Sequence, residues 1–142
     1  IVARPVRAIY LAHSLTNGLA ETNPYGNRIV DGGIPVTAET RLRSGKILYG
    51  SNFESEVYPA GLCAERSLMF YAQANYADDP IETMAIASNP SERECYPCGQ
   101  CRQVMVDVER RQGSPMRVIM SGNGTATVVD TAARLLPFTF VL

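Results

Sequence analysis

No stretch of this chain approaches the roughly 18–20 consecutive apolar residues that a bilayer-spanning helix needs. Arg4 and Arg7 also interrupt residues 1–11, where a signal peptide would carry its apolar core. The expectation is a cytoplasmic protein with no membrane partner. The chain equally lacks an excess of one charge: 13 Lys and Arg against 14 Asp and Glu leave a net charge of -1. Neutralising a phosphate backbone takes clustered basic residues, so long nucleic acid is excluded as a substrate. Histidine occurs once, as His13, and is read as a surface or packing residue rather than a ligand. Cysteine occurs only four times and unevenly, with Cys95, Cys98 and Cys101 inside seven residues and Cys63 far upstream. That spacing suits a metal better than two disulfides, and thiolate chemistry suits a reducing compartment.

What is present describes one folded unit. Hydrophobic residues at 46% and charged residues at 19% are globular proportions. A chain of 142 residues fits a single domain that buries roughly 68–70% of its unfolded surface. Apolar spacing predicts a helix over 5–20, and the Asn-Pro-Tyr-Gly-Asn and Asp-Gly-Gly runs predict a loop over 21–35. Segments 36–42 and 46–51 flank Arg43-Ser44-Gly45 and read as a hairpin. Segment 61–76, apolar nearly all round, reads as a buried helix, and 98–111 as a second. Strands are expected over 81–88, 117–121 and 125–130. Strands followed by alternating helix and strand imply an α/β fold with a mixed central sheet in a three-layer α/β/α arrangement.

Chemistry concentrates at two helix starts, Cys63-Ala64-Glu65 and Pro97-Cys98-Gly99-Gln100-Cys101. A helix N-terminus presents unpaired amide donors and partial positive charge, which favours the thiolate form that zinc requires. Three cysteine ligands would leave the fourth tetrahedral position of Zn2+ open, as in catalytic rather than structural sites. Glu65, two residues after the first ligand, would then stand close enough to move protons without binding the metal. A Cys-x-x-Cys pair alone more often signals structural zinc or redox chemistry, and Cys-Ala-Glu alone signals almost nothing. Their joint occurrence, with 34 residues between Cys63 and Cys98, resembles the ligand set and glutamate of zinc nucleobase deaminases.

Three longer stretches carry a resemblance: Gly50-Ser51-Asn52-Phe53-Glu54, then Tyr58 through Arg66, then Pro97-Cys98-Gly99-Gln100-Cys101-Arg102-Gln103-Val104. With the tail Leu135-Leu136-Pro137-Phe138-Thr139-Phe140, the sequence from Val36 onward resembles the small homotetrameric cytidine deaminases. The resemblance implies Zn2+ held by Cys63, Cys98 and Cys101, with Glu65 as proton shuttle. It implies substrate contacts at Asn52 and Glu54 to ribose hydroxyls, and at Ala64. Tyr58 and Phe140 would complete a neighbouring subunit's pocket in a homotetramer with shared active sites. Arg66 and Arg102, each following a ligand, would temper the negative charge on the sulfurs through hydrogen bonds. The implied reaction takes cytidine or deoxycytidine to uridine or deoxyuridine with release of ammonia, in pyrimidine salvage.

Three substitutions depart from the family's strand before Asn52: Ile34 replaces a pocket phenylalanine, Thr37 a glycine and Glu39 a small residue. They leave open a deaminase of another aminated heterocycle or nucleoside analogue, with Ile34 and Glu39 in the substrate pocket. Glu39 otherwise needs a cation, a donor or water. Cys95 leaves open a non-catalytic module in which all four cysteines close a structural zinc site, or an iron–sulfur centre on the same thiols.

Overall fold

The structure, a computed structural model, describes residues 36–88, 93–122 and 124–141. The helix predicted over 5–20, the loop over 21–35, His13 and Ile34 lie outside the described residues. Two strands open the rest: β1 (Val36–Leu42) and β2 (Ile47–Ser51) pair antiparallel with Ala38 opposite Gly50. Their turn closes through the Leu42 N–H to the Lys46 carbonyl and the Gly45 N–H to the Leu42 carbonyl, each at 2.9 Å. β3 (Ile81–Ser88) lies antiparallel to β1, β4 (Arg117–Ser121) parallel to β3, and β5 (Ala126–Val129) antiparallel to β4. The sheet order is β2-β1-β3-β4-β5, mixed as expected. A parallel pair cannot be joined by a hairpin, and the connection from β3 to β4 is made through α2 (Gly99–Gln112).

The other helix, α1 (Ala64–Asn75), packs on β1 and β2 and touches α2, which puts both helices on one side of the sheet. Gly50 permits this closeness: a Cβ there would stand 2.8 Å from the Leu68 Cβ. The composition of 61–76 suggested burial all round, and that expectation fails. Ala64, Glu65, Leu68, Met69 and Ala72 form the buried stripe, while Phe70 and Tyr71 are half exposed. A helix packed on one side of a sheet has only one covered face. Among the described residues there is one helical layer, and the helix predicted over 5–20 lies outside them. None of the described helices is long and apolar enough to cross a membrane.

All five methionines of the chain, Met69, Met84, Met105, Met116 and Met120, lie in the core between sheet and helices. Their unbranched side chains fill irregular gaps there. Two polar side chains of α2 lock the crossover. The Gln112 amide takes the Ile81 N–H at 3.0 Å and donates to the carbonyls of Ile81 and Ser114 at 2.9 Å. The Glu109 carboxylate accepts from the Met116 N–H at 2.7 Å, the Thr131 hydroxyl at 2.6 Å, and the N–H groups of Ala132 and Ala133 at 2.8 and 3.2 Å. It thereby ties α2 to the segment entering β4 and to the 3-10 turn Ala132–Leu135.

Successive strand residues point to opposite faces. Ala38, opposite Gly50, faces α1, so Thr37 and Glu39 face the other side of the sheet, where Glu39 neighbours Tyr49 and Ala85. One carboxylate oxygen of Glu39 is buried with no hydrogen-bond partner among the described residues, and burial pushes its pKa up.

Two predictions follow from these polar groups. Glu109→Ala removes four bonds to one charged acceptor and is expected to cost about 2–4 kcal/mol in urea unfolding. Glu109→Gln should lose less, and a loss below about 0.5 kcal/mol for the alanine variant would count against the clamp. A carboxyl whose folded pKa is raised contributes stability present below its unfolded pKa and lost as pH rises through the folded one. Glu39→Gln should therefore raise the melting temperature at pH 8, with the gain shrinking as pH falls toward the ordinary carboxylate range. An equal gain at both ends of that window would contradict the assignment.

Candidate active site

Both cysteine segments sit where helices begin. Cys63 is the N-cap of α1 and Cys98 the N-cap of α2, each with extended backbone and no side-chain cap bond, so each sulfur is left for other partners. Their carbonyls accept the first helical bonds, from Ser67 and Arg102, both at 3.0 Å. Cys101 lies in the first turn of α2 and is fully buried. The sheet aims the two helix starts at one point beyond the carboxyl ends of the parallel strands β3 and β4, the usual place for ligands in such sheets. Both macrodipoles present positive charge there.

The three sulfurs meet. Cys63 and Cys98 Sγ are 3.9 Å apart, Cys98 and Cys101 Sγ are 3.4 Å apart, and all three lie within 4.8 Å of one another. A tetrahedral zinc with bonds of about 2.3 Å to sulfur sets sulfurs about 3.8 Å apart, so the spacing fits that ion. The electrostatics fit as well. Burial pushes the Cys63 thiol up, against a hydrogen bond from Arg66. Burial and then the Glu65 charge push Cys101 up further. Burial acts to raise Cys98 too, but hydrogen bonds at the start of α2 outweigh it and hold that thiol below its ordinary value. Three thiolates this close repel one another, and a bound dication relieves that repulsion. Cys95 is half buried and stands outside this group, which among the described residues contains Cys63, Cys98 and Cys101 alone.

Glu65, only 4% exposed, lies in the first turn of α1 beside the sulfurs. Burial raises its pKa, against hydrogen bonds from its own backbone and the Cys101 thiol and the charge of Arg66. Arg66 Nη2 donates to Cys63 Sγ at 3.7 Å, as expected for a residue that tempers thiolate charge. Arg102 differs from its expected role: its Nε donates to the Pro97 carbonyl at 2.8 Å, fixing the loop that delivers Cys98 instead of reaching a sulfur.

A cavity of about 320 Å³ opens over this centre, with Cys63, Glu65, Arg66 and Cys98 in its lining. Asn52 and Glu54 line it from β2's exit. A backbone bridge, Phe53 N–H to Leu62 carbonyl at 2.8 Å and the reverse at 2.9 Å, sets that exit beside Cys63. Asn52 is held by the Val36 N–H on its Oδ1 at 3.0 Å and donates through Nδ2 to Glu54 at 2.8 Å. Tyr58 lines the mouth and is 82% exposed. The Ala64 side chain is buried in the core and does not line the cavity. Phe140, 68% exposed, lies outside it, with its carbonyl accepting from Gln103 at 3.2 Å. Glu39 and Thr37 are likewise not brought to the cavity, because strand alternation points them to the far face of the sheet.

Sequence reasoning assigned no site role to Val36, Phe53, Gly61, Leu62 or Tyr96, which line the cavity, and offered Cys95 there only as a fourth ligand. Tyr96 carried a signal, standing two residues before a ligand in the loop ahead of α2; the inward position of Val36 depends on strand register.

No protein-family profile matches the chain. Among curated proteins it is 33% identical over 73 residues to a cytidine deaminase of Halalkalibacterium halodurans, a match covering 51% of this chain and 54% of that protein. It is 33% identical over 106 residues to a cytidine deaminase of Sporosarcina psychrophila, covering 75% of this chain and 74% of that one. The chain thus spans about half the length of the first relative and about three quarters of the second. Among solved structures, cytidine deaminase from Burkholderia pseudomallei superposes with a TM-score of 0.68 at 28% identity, over 90% of this chain and 98% of that one. The enzyme from Mycobacterium tuberculosis shares the fold with a TM-score of 0.64 at 22% identity, over 92% and 98% of the two chains. A relative 33% identical over about three quarters of both chains, together with the shared fold, shows that the chain belongs to the cytidine deaminase family.

Proposed function

We propose that this chain is a zinc-dependent hydrolase that converts cytidine or deoxycytidine to uridine or deoxyuridine and ammonia. The observation that carries this reading is one cavity holding three convergent cysteine sulfurs and a buried carboxyl. Cys63, Cys98 and Cys101 would hold the zinc, which supplies the Lewis acidity that makes water a nucleophile near neutral pH. Every proton then passes through Glu65. Its carboxylate takes one from the attacking water as oxygen adds to C4, and delivers it to ring N3. It takes the second proton of that oxygen and gives it to the exocyclic nitrogen, which leaves as ammonia as the C4 carbonyl forms, while N3 keeps its proton in the product. A carboxyl with a raised pKa is suited to both taking and giving.

Arg66 draws charge from Cys63 and so limits the loss of acidity that three anionic ligands impose. Asn52, bonded to both Val36 and Glu54, offers with Glu54 fixed partners to ribose hydroxyls. Tyr58 and Phe140 are proposed to complete a neighbouring chain's pocket in a homotetramer, and the exposed Val57, Tyr58, Phe138 and Phe140 support such a covered surface. A salvage role in the cytoplasm belongs to the same reading. An altered heterocycle read by Glu39 gains no support, since Glu39 lies on the far face. A four-cysteine structural site gains none either, since Cys95 stands outside the sulfur group.

Glu65→Gln is expected to keep one zinc per chain and the native melting profile while kcat for cytidine falls about 10²–10⁴-fold. Turnover within threefold of the parent would refute its role as proton carrier. In a colorimetric metal-release assay, Cys95→Ser should retain one zinc per chain and Cys98→Ser should lose most of it. Metal loss in the Cys95 variant would favour the four-cysteine site.

A further inference from the structure

Segment 93–98 leads from β3 into α2 and delivers a metal ligand, and its backbone is fixed from both sides. The Cys95 N–H donates to the Ser121 carbonyl at 3.0 Å, and the Pro97 carbonyl accepts from Arg102 at 2.8 Å. Pro97 is fully buried. Gly122 makes the approach possible, because a Cβ there would stand 2.6 Å from the Glu94 nitrogen. Tyr96 sits between these anchors, directly before a proline that restricts it to extended backbone. It is nevertheless 54% exposed and lines the cavity.

A single exposed aromatic means little, but three of them, Phe53, Tyr58 and Tyr96, line this one cavity. Their origins differ. Phe53 and Tyr58 come from the loop that carries Asn52 and Glu54, whereas Tyr96 comes from the segment that carries Cys98. Two residues of chain reach at most about 7 Å, so Tyr96 is tethered to the reacting end of the cavity. On the deaminase reading above, a flat ring with its amino group toward the sulfurs and its sugar toward Asn52 would pass beside it.

We propose that Tyr96 is a specificity-determining residue whose ring forms the aromatic wall against which the substrate's heterocycle packs. The assignment rests on the deaminase reading above. The contact is made to the ring face or edge and requires no hydroxyl. It acts on binding rather than on proton transfer, which remains with Glu65.

The chain contains no tryptophan, so Tyr96→Trp places a single fluorophore at this wall. In zinc-loaded protein its emission is expected to be quenched saturably by uridine, the product. In steady-state assays with cytidine, Tyr96→Ala should raise KM about three- to tenfold with kcat within about threefold, and Tyr96→Phe should restore the parent KM. Zinc content should be unchanged in all three. Parent-like KM in the alanine variant, or unquenched tryptophan emission at uridine concentrations that inhibit turnover, would overturn the proposal. If the parent turns over no cytidine, the deaminase reading fails. The fluorescence titration, run then with uridine and with cytosine, decides the wall independently: saturable quenching by either supports it, and none by both overturns it.

Discussion

Two helices that begin at the same point hold this site together, and the rest of the fold serves to aim them. Each start contributes an N-cap cysteine whose sulfur makes no capping bond, and α2 adds a third from its buried first turn. Like-charged thiolates within 4.8 Å repel, so the arrangement needs opposing positive charge. The helix ends and Arg66 supply part of it, and a dication fits the remaining need. Glu65 belongs to the same balance, since the burial that raises its pKa places it against the sulfur cluster.

Aim requires stiffness, and the supports are specific. Gly50 lets α1 sit close on β2, while Gln112 and Glu109 bind the crossover helix to β3 and to the segment entering β4. The Phe53–Leu62 bridge brings the Asn52–Glu54 pair next to Cys63 although seven residues separate Glu54 from Leu62. Arg102 and Gly122 fix the loop ahead of Cys98. A displaced support would move a ligand or a wall rather than delete it, which is why residues remote from the chemistry belong to the account.

Much of this was legible in the sequence because the signals were local. The strand over 81–88 and the helix starts next to Cys63 and Cys98 follow from apolar runs bounded by turn residues and from cap-like positions. The convergence of Cys63, Cys98 and Cys101 was expected from their place at two helix starts, and their sulfurs do meet. What escaped depended on non-local geometry. Which face of β1 meets α1 is decided by the pairing of Ala38 with Gly50, and this turned Glu39 away from the cavity and Val36 toward it. Arg102 and Arg66 look equivalent in sequence, each following a ligand, yet only Arg66 donates to a sulfur; Arg102 lies beside the Pro97 carbonyl. Composition could not show that α1 has a half-exposed outer face with Phe70 and Tyr71 on it.

The central claim is a metal held by three sulfurs with one position left for chemistry. X-ray absorption at the zinc edge of the purified, zinc-loaded chain reads that directly. The account predicts three sulfurs at about 2.3 Å and one lighter scatterer, nitrogen or oxygen, in a tetrahedral shell. Four sulfurs, or a chain that takes up no zinc while folded, would contradict it.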